Sequence, residues 1–344
     1  MAGNHTRYVS AGKEGTYNSA AALDAIGEVE SESFQQSYDI LKRADMNYYG
    51  AAKAITSKIY AEGSISMALQ PCRFTLLMLH GIMGNDNPDG SAGTTGARTF
   101  TEMGNGSSTQ LPSYTFRVGR DDFEHIFPGQ VVDSISVSAS VGEYSMMTVN
   151  TVGAKQTSST QALATGVPAY TGDAAHFAKS FVNFDEAATS TSGGFSNLVQ
   201  SIDFEIKTGR DMDNSYGLAN ETCIRAPPQT MREISGSMTL HKALLTGEAT
   251  EGEPFFNELM PGTANVVNGS NSTPALSVLF HVDANNYIRF DFAKLIYEMP
   301  ETSVSGRDTQ TMTVNFHALY DVASADTMLT IACKSSVGLA NYDA

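Results

Sequence analysis

Apolar and polar positions alternate with period two along much of this chain. In residues 131–140, "VVDSISVSAS", Val131, Asp133, Ile135, Val137 and Ala139 fall on one face, and Val132, Ser134, Ser136, Ser138 and Ser140 on the other. That is the pattern of a half-buried strand. "SIDFEIK" sets Ile202, Phe204 and Ile206 against Asp203, Glu205 and Lys207, and "QTMTVNFH" sets Met312, Val314 and Phe316 against Thr311, Thr313, Asn315 and His317. Two segments read with the helical period instead. Phe74, Leu77, Met78 and Ile82 make one stripe; Phe255, Phe256, Leu259 and Met260 make another, ended by Pro261-Gly262. The expected class is mainly β: two antiparallel sandwich or barrel units, each with one short α-helix.

The two units follow from an internal repeat. "QQSYDILKRADMNYYG" from Gln35 parallels "VQSIDFEIKTGRDMDNSYG" from Val199, placing Asp39 against Asp203. "GSISMAL" from Gly63 parallels "GSMTL" from Gly236, "SYTFRV" from Ser113 parallels "ALSVLF" from Ala275, and Met-Thr-Val-Asn recurs at 147–150 and 312–315. The shared order points to a tandem duplication. The join falls in the polar, turn-rich stretch 155–172. The expected division is an N-terminal arm at 1–34, a first unit at 35–163 and a second at 164–344.

Composition narrows the function. The 344 residues carry 37 acids against 21 bases, a net charge of −16. Tight nucleic-acid binding needs clustered Lys and Arg to displace counterions, so this balance argues against it. Three widely spaced cysteines, Cys72, Cys223 and Cys333, with no Cys-x-x-Cys, suit reduced thiols and not a disulfide scaffold. No apolar run is long enough for a membrane helix, and the opening residues show no apolar signal core.

Catalytic and metal motifs are missing. The seven histidines are scattered, with no His-Glu-x-x-His and no His/Cys set at ligand spacing. "GNGSST" at Gly104 lacks the strand–helix context of a phosphate loop. "RDMDN" around Asp211 starts like a calcium loop but lacks its Gly and final Glu, and reads as a turn. Neither catalysis nor a cofactor nor a metal is expected.

With its strand–"GSISMAL"–helix order, the strand pair "GQVVDSISVSASVGEYSMMTVNTVGA" and the counterpart "NNYIRFDFAKLIYEMPETSVSGRDTQTMTVNFHALYD", the chain resembles the tail tube proteins of tailed bacteriophages. The resemblance implies a structural virion protein, assembled in the host cytoplasm, that forms stacked rings conducting DNA from capsid to host. A duplicated chain implies trimeric, pseudo-hexameric rings; hexameric rings are the alternative. It also implies contact with a tape measure protein, and with sheath, tail terminator and baseplate proteins. DNA would pass without specific binding, and no membrane insertion is implied. Another tail component (distal tail, baseplate hub or terminator protein) is the second reading. Lumen-facing candidates are the polar-face residues Ser134, Ser136, Ser138, Asp203 and Glu205. Residues 1–34 and the loop 86–111 are the candidates for bridging successive rings.

Overall fold

The computed structural model describes residues 7–44, 46–88, 96–103, 111–121, 123–160, 173–184, 187–188, 195–241, 266–268, 274–298, 311–321 and 327–335. The first half opens with β1 (Arg7–Lys13), β2 (Ala25–Gly27), β3 (Ser31–Glu32), β4 (Gln35–Ala44) and β5 (Ala51–Ala68). Helix α1 (Arg73–Met83) follows, then β6 (Gly84–Pro88), β7 (Gly96–Glu102), β8 (Tyr114–Arg120), β9 (Phe123–Ser140), β10 (Met146–Gly153) and β11 (Thr157–Thr160). The second half holds β12 (Ser180–Phe184), β13 (Val199–Lys207), β14 (Glu233–His241), β15 (Val266–Asn268), β16 (Leu276–Asp283), β17 (Asn286–Phe292), β18 (Lys294–Tyr297), β19 (Thr311–Ala318) and β20 (Leu329–Ser335).

Among the described residues fourteen strands join one antiparallel sheet and six another, so the class is mainly β, as expected. The main path of the large sheet is β15-β18-β19-β14-β13-β9-β10-β5-β3; the small sheet runs β12-β16-β17-β20-β7-β6. Both sheets cross the midpoint of the chain. β13 pairs with β9 in the large sheet, and β20 pairs with β7 in the small one. A boundary near residue 163 therefore cuts across both sheets and isolates neither. One apolar core runs through both halves, with Phe34, Phe116 and Phe127 at one end and Phe204, Phe290, Phe292 and Phe316 at the other.

Helix α1 forms where the helical period predicts it. Its burial is not a stripe, however: every residue from Phe74 to Met83 is buried, because the helix lies against β1, β2, β6, β7 and β9. The Cys72 sulfur accepts the Thr75 N–H at its start, and Gly84, at φ 95°, ends it in the left-handed region open to glycine. The second expected helix lies outside the described residues.

Two further expectations change. Residues 7–34 are not a free arm here: β1 pairs with β8 along its length, and Phe34 is 1% exposed. The loop expected at 86–111 contains much of the β6–β7 hairpin, with Phe100 in the core and Asp86 paired to Arg98 out of solvent. What projects instead is the β4–β5 hairpin, which leaves Tyr38, Ile40, Leu41, Tyr49 and Ile55 exposed. Its base is held by the second half, through Lys58 to Asp213 at 2.5 Å and the Tyr216 hydroxyl to the Ile59 carbonyl at 3.4 Å.

The two halves follow one strand order. β3-β5-β10-β9 in the first matches β13-β14-β19-β18 in the second. Registers agree: Gly63 lies opposite Thr151 and Gly236 opposite Phe316, while Ile65 meets Val149 and Met238 meets Val314. Strands β8 and β16 also correspond, since Phe116 pairs with Phe127 as Leu276 pairs with Phe292, but this sets them two residues out of step with the match of "SYTFRV" to "ALSVLF". The Gln-Ser-x-Asp match does not hold in space. Phe204 lies beside Gly236, and the residue over Gly63 is Phe34, not Ile40. Each glycine is required there: a Cβ on Gly63 would stand 2.3 Å from the Phe34 ring, and one on Gly236 2.5 Å from the Asp203 carbonyl and the Phe316 ring. Residues 35–44 run on past the body into the hairpin, so their resemblance to β13 is one of composition.

Candidate functional site: the polar face of the large sheet

Side chains alternate across a strand, so neighbouring strands in register build rows on each face. On one face the row Ile65–Val149–Ile135–Ile206–Ile234 is buried throughout. On the other runs Ser66–Thr148–Ser136–Glu205–Ser235–His317, and beside it Ser138–Asp203–Ser237–Asn315. All five polar-face residues singled out from the sequence thus share one face. Six neighbouring strands at about 4.8 Å spacing make this face roughly 24 Å wide.

The face is hydrogen-bonded side chain to side chain. Ser237 Oγ donates to Asp203 Oδ1 at 2.8 Å, and Asn150 Nδ2 donates to Ser134 Oγ at 2.9 Å. Asn315 Nδ2 donates to Glu298 Oε2 at 2.8 Å, with His317 Nε2 3.1 Å from Oε1. Those two contacts hold the Glu298 carboxyl below the usual range. Ser138 and Asp203 are exposed, Ser136 and Glu205 half-buried, and Ser134 buried at 4%. Lys207 also lies on this face, its Nζ 2.9 Å from Glu205 Oε2, which raises the lysine's pKa. Lys207 belongs to the same alternation as Asp203 and Glu205, and it offsets one of their charges.

The clean alternation read for β9 breaks at one point. Asn150 pairs with Ser134 and Thr151 with Val132, so Asp133 is a bulge. Val131 and Val132 are both buried in consequence, and Val132 leaves the polar face. The bulge has a use at the junction of the halves. Asp133 Oδ1 accepts the Arg210 N–H at 3.1 Å, the Asp133 carbonyl accepts the Thr208 N–H at 2.9 Å, and Arg210 Nε and Nη2 reach the Val132 carbonyl. Burial lowers the Arg210 pKa to about 10, against the pull of Asp133.

No group of three or more His, Cys, Asp or Glu able to hold a metal occurs among the described residues. Asp211, the start of the calcium-like motif, accepts the Asn214 N–H at 3.2 Å and forms a turn, as read. Cys72, Cys223 and Cys333 are free and buried. Among the described residues no helix is long and apolar enough to cross a membrane.

No curated protein matches the chain. A family model described as phage tail tube protein matches residues 5–318, from before β1 to the end of β19 and across both sheets. The chain therefore belongs to the phage tail tube protein family, a structural component of the virion tail.

Proposed function

We propose that this protein assembles into stacked rings whose polar sheet faces line the channel through which phage DNA leaves the capsid. The observation that carries this reading is the face itself: rows of hydroxyl, amide and acid side chains over six strands, backed by an unbroken apolar row. A soluble subunit can keep such a face wet. Closed upon copies of itself, it becomes a hydrophilic lining without free edges.

Size favours three chains per ring. Besides the three-residue β15 at its end, one chain's path holds eight strands in the order β3-β5-β10-β9-β13-β14-β19-β18, and a barrel of about eight strands is filled by its own side chains. Three chains supply roughly 24 strands, a circle about 37 Å across at the backbone before strand tilt widens it. The shared strand order of the halves supports a duplicated unit, and so a pseudo-hexameric ring. The lining passes DNA because it offers phosphates little to hold. Lys207 is paired to Glu205, and Asp203 adds repulsion over a screening length of about 8 Å.

Replacing Asp203 and Glu205 together by Lys tests the lining. Three chains would turn twelve units of charge toward positive, and DNA ejection from the assembled virion is expected to slow at least tenfold at low salt and recover as salt rises. Ejection at the normal rate would show that these residues face elsewhere. Tape measure, terminator, sheath and baseplate proteins are the expected partners at the channel and the tube ends.

A further inference from the structure

The strand order gives each half an equivalent of β13, but among the described residues only one of them is paired on both sides. β13 has β14 on one flank and β9 on the other. Its Asp203 carbonyl points toward Gly236 of β14, so the main chain of Phe204 points to β9, opposite Val137. In the first half the equivalent run is residues 31–36. Ser31 lies opposite Ser66 and Glu32 opposite Ile65, and the Ser33 N–H donates to the Ser64 carbonyl. The main chain of Phe34 therefore points outward, where no strand lies among the described residues.

Two side chains stand in for that missing strand. The Phe34 N–H donates to Glu32 Oε2 at 3.0 Å, and the Phe34 carbonyl accepts Arg120 Nη2 at 2.5 Å. Arg120 also grips the Glu32 carboxylate twice, through Nε at 2.9 Å and Nη2 at 2.7 Å. A fork of this kind is a strong, directional contact. At the paired junction the corresponding positions carry no charge. Glu32 lies opposite Ile65 as Ile202 lies opposite Met238, and Arg120 stands two residues beyond Val118 in β8 as Phe280 stands two beyond Val278 in β16. The ion pair thus occurs on the half whose edge meets no strand among the described residues and is replaced by Ile and Phe on the half whose edge is already filled.

We infer that residues 31–36 form the edge onto which the opposite end of a second copy's large sheet, where β15 lies beside β18, adds, and that Glu32 and Arg120 cap this edge until it does. The inference rests on the ring reading above. The pairing is antiparallel, as it is where β9 meets β13. An open edge invites pairing with any strand. The cap satisfies the outward main-chain groups of Phe34 in the lone subunit, and releases them only to a strand that offers a full ladder. Phe34 itself stays seated on Phe116 and Phe127, at 5.0 and 5.3 Å between ring centroids, so docking exchanges hydrogen bonds without moving the core.

The test uses the full chain. Glu32→Gln with Arg120→Gln removes the charged fork, and the critical concentration for tube formation, followed by light scattering and electron microscopy, is expected to fall about tenfold, which is about 1.4 kcal/mol. Glu32→Ile with Arg120→Phe, copying the internal junction, should lower it at least as far. An unchanged or raised critical concentration in variants that still fold would overturn the cap. Hydrogen exchange on the unaltered protein gives an answer that does not depend on any variant folding. Phe34 and its neighbours should exchange at least a hundredfold more slowly in tubes than in subunits. Tubes in which residues 31–36 exchange as fast as in subunits would sink the edge assignment and leave the ring reading standing. Protein that forms no tubes or rings at any concentration would remove both.

Discussion

Phe34 and Phe204 occupy matching places in the two halves, yet their surroundings differ in an instructive way. Each lies over a glycine, Gly63 or Gly236, and each packs on a phenylalanine, Phe127 at 5.3 Å or Phe292 at 5.4 Å. Toward the core the two are alike, because both must fill the same gap between two sheets. Toward the sheet edge they diverge. Phe204 joins a ladder with Val137, while Phe34 has its main chain held by Glu32 and Arg120. Packing constrains the buried side of a strand; what stands beside the strand decides which residues its edge carries.

The largest effect should come from breaking the likeness. Truncating either ring to Ala is expected to cost about 3–5 kcal/mol, since each is buried and leaves a cavity between rigid strands. Denaturant unfolding of Phe34→Ala and Phe204→Ala should give losses within about 1 kcal/mol of one another. A Phe34→Ala loss below that figure would mean the two positions are not equivalent.

A smaller effect sharpens the difference at the edges. Arg210 ties the second half to the β9 bulge through its main-chain N–H on Asp133 and its guanidinium on the Val132 and Pro227 carbonyls. Arg210→Ala should cost about 1.5–3 kcal/mol, the usual range for hydrogen bonds from a charged group. Hydrogen exchange should quicken in β13 and the C-terminal portion of β9, and not in β3 or β5. Uniform quickening over the whole sheet would show that the junction is no weaker than the rest.

The smallest concerns acid. Burial raises the pKa of Glu32, but the hydrogen bonds from Arg120 and the Phe34 N–H outweigh it and hold the carboxyl below the ordinary glutamate value. A carboxyl depressed in this way adds stability above its unfolded pKa and loses it as pH falls through the folded one. The subunit should therefore show a Glu32-dependent loss of under about 1 kcal/mol only below roughly pH 4.5. Glu32→Gln should flatten the stability curve over that range. A loss that persists in the variant would assign it to other carboxylates.

Much of the site was legible along the chain, for a local reason. Period-two alternation needs no tertiary knowledge, and it placed Ser134, Ser136, Ser138, Asp203 and Glu205 on one face, where the registers bring them together. It missed the Asp133 bulge, because an extra residue in one strand is visible only against its partner, β10. The helical stripe at Phe74 predicted a helix but not its burial on every side, since burial depends on which elements surround it. The Gln-Ser-x-Asp match misled because the similar letters of 35–39 belong to a hairpin that leaves the body. Glu32 and Arg120 could not be paired from sequence: they lie 88 residues apart, and either alone reads as a solvated surface charge.

By itself the sequence determined the alternating faces, the mainly β class, the short helix at Arg73–Met83 and the acidic balance, since each follows from residue type at short spacing. The tertiary structure alone decided that the halves share both sheets, that residues 7–34 pair into the large sheet, and that one strand edge is capped by charge while its counterpart is filled by β9. Those outcomes depend on strand neighbours far apart along the chain. Backbone N–H and C=O groups are the same at every residue but proline, so no local pattern says which strand will take them.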